Sequence, residues 1–578
     1  MAAEAWCAAY AIICGMKDTK MMKAAAWLVR LGCVAWTAAR PAEAAPAFSP
    51  RMVHSAFGID AYPDDYLAAV AKTGVDSVLV YISDPPDVTR TGKAEDIADL
   101  VTRAARFGIG IYAYADFPVK AAKLHPRDAG AEAWYDQTYG AIVRKTPGLK
   151  GLICVGESTA FPYADRRPVN YWWKPCPGGA RSTGFLPDPD WADWLRLVTK
   201  VTRKYNPTFD VVFWTYNWYR APEADRVALL QRIPTDVSLL VTFEMGDPPI
   251  RRCGLDTGAY MDYSIVRPGP SRVFRSEAAV AKRRGIRLYA MTNTGGRTWD
   301  FGLLPYEPVP WRWKDRFDAI RAAKDEWGLS GLMESHHYGF RPNLIAELAT
   351  KVYADDYRPE DFERILRGFA VRDYGEANAE AVMGAWKDWS EAFRWHPIED
   401  KDQATVLRNG PVYPFCAPDS YIPDPLHPVY EYHDGVKHGC GWKFTAMKFS
   451  FDLPRIPGEL EMAARELPLL ESGCRKLEGR AETRKLWAMG RFMHATIRTM
   501  VNAKRYYRAG VAAQKEEMLS ILREEADNVR SCFAWVEIDP TVGWEPMMGR
   551  VVARDTLEWK LDQLQGEAAR VSESSRGQ

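Results

Sequence analysis

Eight short apolar or β-branched runs, separated by amphipathic stretches of helical period, limit what this 578-residue chain folds into more than any other feature. The runs are VHSAFGID (53–60), VDSVLVYIS (75–83), IGIYAYAD (109–116), GLICVGE (151–157), DVVFWTYN (210–217), VSLLVTFEM (237–245), IRLYAMTN (286–293) and LSGLMES (329–335). Between them lie helix formers such as DDYLAAVAKTG, AEDIADLVTRAARFG and WKDRFDAIRAAKDEWG. Several close on a glycine just before the next run, where a left-handed cap turns the chain inward. Near-continuous apolar strands imply burial on both faces, and strict alternation with helices implies parallel pairing through right-handed crossovers. Eight such units predict an α/β fold, a (β/α)8 TIM barrel over 50–345. The alternative is an open doubly wound sheet, but the Gly-x-Gly-x-x-Gly turn expected after its first strand is missing.

Beyond about residue 340 the alternation gives way to helical periods alone, in NLIAELATKVYADD, PEDFERILRGFAVRDYG and AEAVMGAWKDWSEAFRW. An all-α C-terminal domain is expected over 346–570. An irregular connector rich in Pro, Gly, Tyr and His interrupts it at 400–456, and 571–578 reads as a loose tail. The first 45 residues have the layout of a secretory signal peptide. A basic lead near Met16 precedes a short apolar run broken by Arg30 and small residues at Ala42–Ala45, as if translation had been assigned too early a start. Export to the periplasm or medium is the expectation, with an uncleaved N-terminal anchor as the alternative; no later segment reads as a membrane span.

A hydrophobic share of 47% and a charged share of 26% are those of a folded chain. The 76 basic and 75 acidic side chains show no basic tract of the kind that follows phosphates, so nucleic acid is not an expected partner. Cysteines are too few and too irregularly spaced for a zinc ribbon or a disulfide scaffold, although Cys416 and Cys440, which flank a Pro-rich stretch within the connector, could pair in an oxidising compartment.

In such a barrel, residues at the C-terminal ends of the strands converge on one mouth. Those ends carry Asp60, Asp84, Asp116, Glu157, Asn217 with Trp218 and Tyr219, Glu244 with Asp247, Asn293, and Glu334 with His336, His337 and Tyr338. The loop after the seventh run adds Arg297, Trp299 and Asp300. Carboxyls close together in a low-dielectric cleft repel, so one stays protonated while another ionises. Cleavage of a glycosidic bond needs that division between an acid and a base or nucleophile. Glu157, Glu244, Asp300 and Glu334 are therefore the catalytic candidates, with Glu157 preferred as general acid/base. Asp60, Asn217, Trp218, Tyr219, Asp247, Arg297, Trp299, His336, His337 and Tyr338 are the candidate substrate contacts, aromatic faces and hydrogen-bonding groups suited to a hydroxyl-rich ligand. For any single acid, a simple pairing with a nearby arginine is an equally ordinary fate.

A metal-dependent hydrolase is the rival enzymatic reading. Adjacent residues of a strand point to opposite faces, so His336 and His337 do not readily chelate one ion, and the first run lacks His-x-His; no metal and no cofactor are expected. There is no Gly-x-Ser-x-Gly elbow, and Cys154 lies inside an apolar run, where an inert thiol is the ordinary case. A non-catalytic carbohydrate-binding or scaffold protein remains the alternative from another class.

The segments ICVGESTAFPY, FWTYNWY, WDFGLLPYEPVPWRW, GLMESHHYGF and VEIDPTVGWEP together resemble bacterial TIM-barrel glycoside hydrolases of polysaccharide-degradation systems. These are distantly similar to hexosaminidase-like and α-glucuronidase-like barrels with a helical C-terminal domain. The resemblance implies a carbohydrate substrate and cleavage by paired carboxylates.

Overall fold

The eight runs form strands β1 (Arg51–Val53), β2 (Ser77–Tyr81), β3 (Gly110–Ala115), β4 (Gly151–Val155), β5 (Asp210–Trp214), β6 (Ser238–Thr242), β7 (Arg287–Met291) and β8 (Leu329–Met333). The computed structural model describes residues 46–54, 62–82, 96–115, 124–156, 189–248, 250–257, 263–336, 339–397, 406–416, 421–423, 441–443, 451–545 and 549–573. Each strand pairs in parallel with the next, and β1 closes the ring by pairing with both β2 and β8, Met52 lying opposite Ser77 and Met333. This is the (β/α)8 barrel, followed by a helical C-terminal part. The first strand starts earlier than its run suggested, at Arg51, and residues 55–60 of that run lie outside the described residues.

Helix ends follow the local chemistry. Asp96 caps the helix Ile97–Ala105 by accepting from Ala98 N and Asp99 N, and Ser271 and Asn343 do the same for Arg272–Arg284 and Leu344–Tyr353. Gly285 and Gly328 end their helices with φ of 67° and 74°, a left-handed turn glycine adopts without steric cost, and β7 and β8 begin almost at once.

Alternate residues of each strand fill the barrel. Met52, Leu79, Tyr81, Tyr112, Tyr114, Ile153, Val155, Val212, Trp214, Leu240, Tyr289, Met291 and Met333 form one buried cluster. At the N-terminal end Asp210 closes the interior. Its carboxylate accepts from Ser238 Oγ at 2.6 Å, Tyr289 Oη at 2.9 Å, Arg287 Nη2 at 3.2 Å and Tyr112 Oη at 3.3 Å.

Phe48–Gln578 forms one compact unit, in which the helical part is bonded to the barrel. Gly543 N donates to Leu303 O at 2.8 Å, Arg297 Nη2 to Trp544 O at 2.9 Å and Arg455 Nη1 to Asp256 O at 2.8 Å. Its long helices, among them Glu376–Ala392, Ile456–Leu477, Arg484–Val511 and Lys515–Cys532, pack in sequence order. The expected connector contains a short antiparallel pair, Tyr421–Pro423 with Gly441–Lys443. The last helix, Arg554–Glu573, runs into the stretch expected to be tail. Among the described residues no helix is long and apolar enough to cross a membrane.

Candidate active site

Strand alternation carries aromatic rings to the C-terminal mouth. Inward positions end at Tyr81 on β2, Tyr114 on β3 and Trp214 on β5, and Tyr216 continues the β5 parity past the strand. These rings pack edge to face or tilted: Tyr81 on Tyr114 at 5.0 Å between centroids, Trp214 on Tyr216 at 4.4 Å. His336 lies at the centre, 4.8 Å from Trp214. Its Nε2 shares a hydrogen bond with Tyr114 Oη and its Nδ1 with Tyr263 Oη, so both ring nitrogens are engaged and the imidazole plane is fixed. Trp299 stacks on the outer face of Tyr263 at 4.4 Å and 25°. Trp299 and Tyr216 are the partly exposed rings against this cluster.

Tyr263 has a φ of 51°, a conformation costly for a bulky residue, on the order of 1–3 kcal/mol. Asp300 holds it there. The buried carboxylate accepts from Ser264 Oγ at 2.8 Å and Ile265 N at 2.9 Å, and Trp299 N donates to Tyr263 O at 2.6 Å. Thr298 Oγ1 adds a third bond to Asp300, at 3.1 Å, and also meets the buried Glu307 at 2.9 Å. Burial, reinforced by the neighbouring Asp300, keeps the Glu307 carboxyl well above the usual carboxylate range. Asp300 thus ties Ser264 and Ile265, which follow Tyr263, to Thr298, which precedes Trp299.

The other expected acids divide. Met333 faces the barrel interior, so Glu334 faces the opposite way, into the strand–helix layer. There it accepts from Arg51 Nε at 2.7 Å and Thr294 Oγ1 at 2.7 Å. The expectation that Glu334 faces the ligand is corrected: it is a buried ion pair behind the mouth. Glu244 follows β6 and is 1% exposed; Asn293 Nδ2 donates to it at 3.2 Å, and the Arg316 guanidinium lies 3.4 Å away. Burial raises the Glu244 carboxyl despite the opposing pull of Arg316. Asp247 accepts from Arg272 N at 2.7 Å at the start of the helix Arg272–Arg284, where a negative charge is stabilised by the helix dipole. Glu157, Asp60, His337 and Tyr338 lie outside the described residues.

Three further expected contacts do not reach the mouth. The chain turns through a left-handed Asn217 (φ 62°) and rotates Trp218 outward, where it is 1% exposed between Phe213 and Trp191. Tyr219 packs with Met245 and Val273. Arg297 donates to Leu304 O and Trp544 O, tying the β7 loop to the helical part. What sequence reasoning missed was Tyr81, Tyr114, Trp214, Tyr216 and Tyr263. The period-two spacing of 112, 114 and of 212, 214, 216 marks three of these, whereas nothing local marks Tyr263. Cys154 is a free buried thiol whose pKa burial drives up, an inert group. Among the described residues no three His, Cys, Asp or Glu side chains are grouped to hold a metal ion.

The sequence matches no protein-family profile and no curated protein. Among solved structures the chain is similar to a GH138 enzyme targeting pectin rhamnogalacturonan II, at 10% identity and a TM-score of 0.48, over 92% of this chain and 69% of that one. It is similar to CpGH84B at 10% identity and a TM-score of 0.35, over 90% of this chain and 77% of that one. The catalytic domain of beta-amylase from Paenibacillus polymyxa matches at 12% identity and a TM-score of 0.31, over 50% of this chain and 92% of that one. At such identities and scores the likeness assigns no role to any residue.

Proposed function

We propose that this chain is an exported glycoside hydrolase that holds a saccharide across the barrel mouth. The observation that carries the reading is the ring-lined mouth itself. His336 is fixed between two phenols, and Trp299 and Tyr216 flank it with partly exposed faces. Such a surface combines stacking planes with oriented hydrogen-bonding groups, which is what a hydroxyl-rich ring requires. Glu157 is assigned as general acid/base because it closely follows in sequence the C-terminal end of β4, whose Ile153 and Val155 are inward. Glu244, with its carboxyl raised by burial, is the second carboxylate. Asp300 serves as a positioning residue for Tyr263 and Trp299, not as an acid.

Screening aryl glycosides and plant and bacterial polysaccharides, with NMR of the first-formed anomer, tests the reaction. A retaining enzyme would have the two carboxyls roughly 5–5.5 Å apart and an inverting one roughly 6.5–9.5 Å. Glu157→Gln is expected to lower kcat on a true substrate by at least about 100-fold while saccharide binding persists. Full activity in that variant would reject the assignment.

One observation favours a second reading, a saccharide-binding protein without hydrolysis: Glu334 and Glu244 both lie against arginines. Binding on a glycan array that neither Glu157→Gln nor Glu244→Gln alters, with no hydrolysis of any bound glycan, would select it.

A further inference from the structure

Beside the mouth lies a second concavity, a cleft of about 950 Å³ between the barrel and the helical part. Its barrel wall is built from the starts of the helices Asp64–Lys72 and Leu344–Tyr353 and from Tyr306 in the loop after β7. The helices follow β1 and β8, so the cleft opens on the C-terminal face that carries the mouth. The two are linked by a short path: Phe340 N donates to His54 O at the end of β1, and Arg341, next in the chain, lines the cleft. The opposite wall comes from the end of the helix Phe362–Tyr374 and the start of Arg484–Val511.

The lining sets paired charges among apolar surface. Arg372 is held by Asp373 through two bonds of 2.6 and 2.8 Å and by Glu347 at 2.6 Å. Tyr306 and Tyr374 are half-buried and line the cleft from its two walls. Arg484 and Lys485 are exposed on the helical wall. Carboxylates and cations nearly balance along the surface, which disfavours both a polyanion and a lipid chain. Fixed carboxylate and guanidinium groups between tyrosine rings suit the vicinal hydroxyls of an uncharged sugar chain. The volume lies at the upper end of the roughly 300–1,000 Å³ of ligand pockets, more than one sugar ring fills.

We propose that this cleft is a distal saccharide-binding site, so that the ligand of this protein is a polymer chain running from the mouth onto the helical part. The inference rests on the carbohydrate reading of the mouth. Its test compares trisaccharide and octasaccharide fractions of xylan, mannan, arabinan and galactan, titrated calorimetrically into the full chain. For a series that binds, the octasaccharide is expected to bind about tenfold tighter than the trisaccharide, about 1.4 kcal/mol. Ala481→Trp, which fills the exposed rim, and the double change Arg484→Ala with Lys485→Ala should each bring that ratio toward one. Trp299→Ala should weaken both lengths alike. Equal binding of the two lengths by the unaltered protein overturns the cleft assignment, as does a length ratio that neither cleft variant moves. If no saccharide of any length binds, the reading of the mouth falls first and this inference with it.

Discussion

The two ends of the barrel interior are built from the same parts and organised differently. At the N-terminal end two tyrosines, Tyr112 and Tyr289, converge with Ser238 and Arg287 on the carboxylate of Asp210. At the C-terminal end two tyrosines, Tyr114 and Tyr263, converge on His336. Tyr112 and Tyr114 are two positions apart on β3, one for each hub. The lower hub is an acceptor surrounded by donors and closed by an arginine. The upper hub is an amphoteric ring set among aromatic faces, with two partly exposed rings, Tyr216 and Trp299, packed against them. The lower is a plug that holds the barrel shut and the upper a platform that presents groups, as expected of the stability and activity ends of such a barrel.

That contrast is broken most directly by Asp210→Ala. Several buried donors would lose their acceptor together, at a cost of about 3–5 kcal/mol in unfolding free energy. Saccharide affinity of the surviving folded protein should be unchanged. A loss of affinity without a loss of stability would mean that the plug and the platform are one coupled network.

His336→Phe is the corresponding change above. It keeps a ring of similar size among Tyr114, Trp214 and Tyr263 while removing both hydrogen bonds. Stability should fall by about 1–2 kcal/mol, less than for Asp210→Ala, because one hub atom on each side is lost and the ring packing persists. Saccharide affinity should fall by about tenfold or more.

The plug also makes a pH prediction that the platform does not. Burial first, then the adjacent Asp210, raises the phenols of Tyr112 and Tyr289 above the ordinary tyrosine range. The folded state therefore keeps these protons at pH values where the unfolded chain releases them. Their contribution is complete below about pH 10 and is lost as pH rises beyond it. Unfolding monitored between about pH 9 and 11.5 should show stability falling with pH, with a shallower slope for the Tyr112→Phe, Tyr289→Phe double variant. An equal slope would show that other groups govern the alkaline limb.

How far the sequence reveals these two ends depends on where their residues lie. The barrel was legible because each strand is an apolar run bounded by helix-capping glycines and turns, signals that are local. Inward parity was legible too: 210, 212, 214 and 216 name the plug, the core, the platform and its edge in order. Parity also separates Met333 from Glu334, so the carboxylate that looked like part of the mouth belongs to the layer behind it. Trp218 and Tyr219 misled because the strand period ends at Trp214 and Asn217 reverses the turn, a rotation that the residue types do not announce. Tyr263 was the least legible. It comes from the excursion between β6 and β7 and reaches the mouth only because Asp300, far along the chain, fixes Ser264 and Ile265. A carboxylate marked in sequence as a catalytic candidate bonds the residues that follow a ring that sequence did not mark.

The smallest effect, and the sharpest division between plug-like and platform-like aromatics, comes from comparing two tryptophans. Trp299 is partly exposed and contacts Tyr263 through one face, so Trp299→Ala opens no sealed cavity. Its unfolding free energy should change by about 1 kcal/mol or less, whereas saccharide affinity should fall about fivefold to tenfold through the lost stacking plane. Trp218 is buried between Phe213 and Trp191, and Trp218→Ala should cost about 3–5 kcal/mol in stability with affinity retained in the folded fraction. Titration of the best-binding oligosaccharide, paired with urea unfolding of each variant, reads both quantities. The reverse pattern, affinity lost with Trp218 and kept without Trp299, would place the binding surface on the outer layer and remove the platform from the mouth.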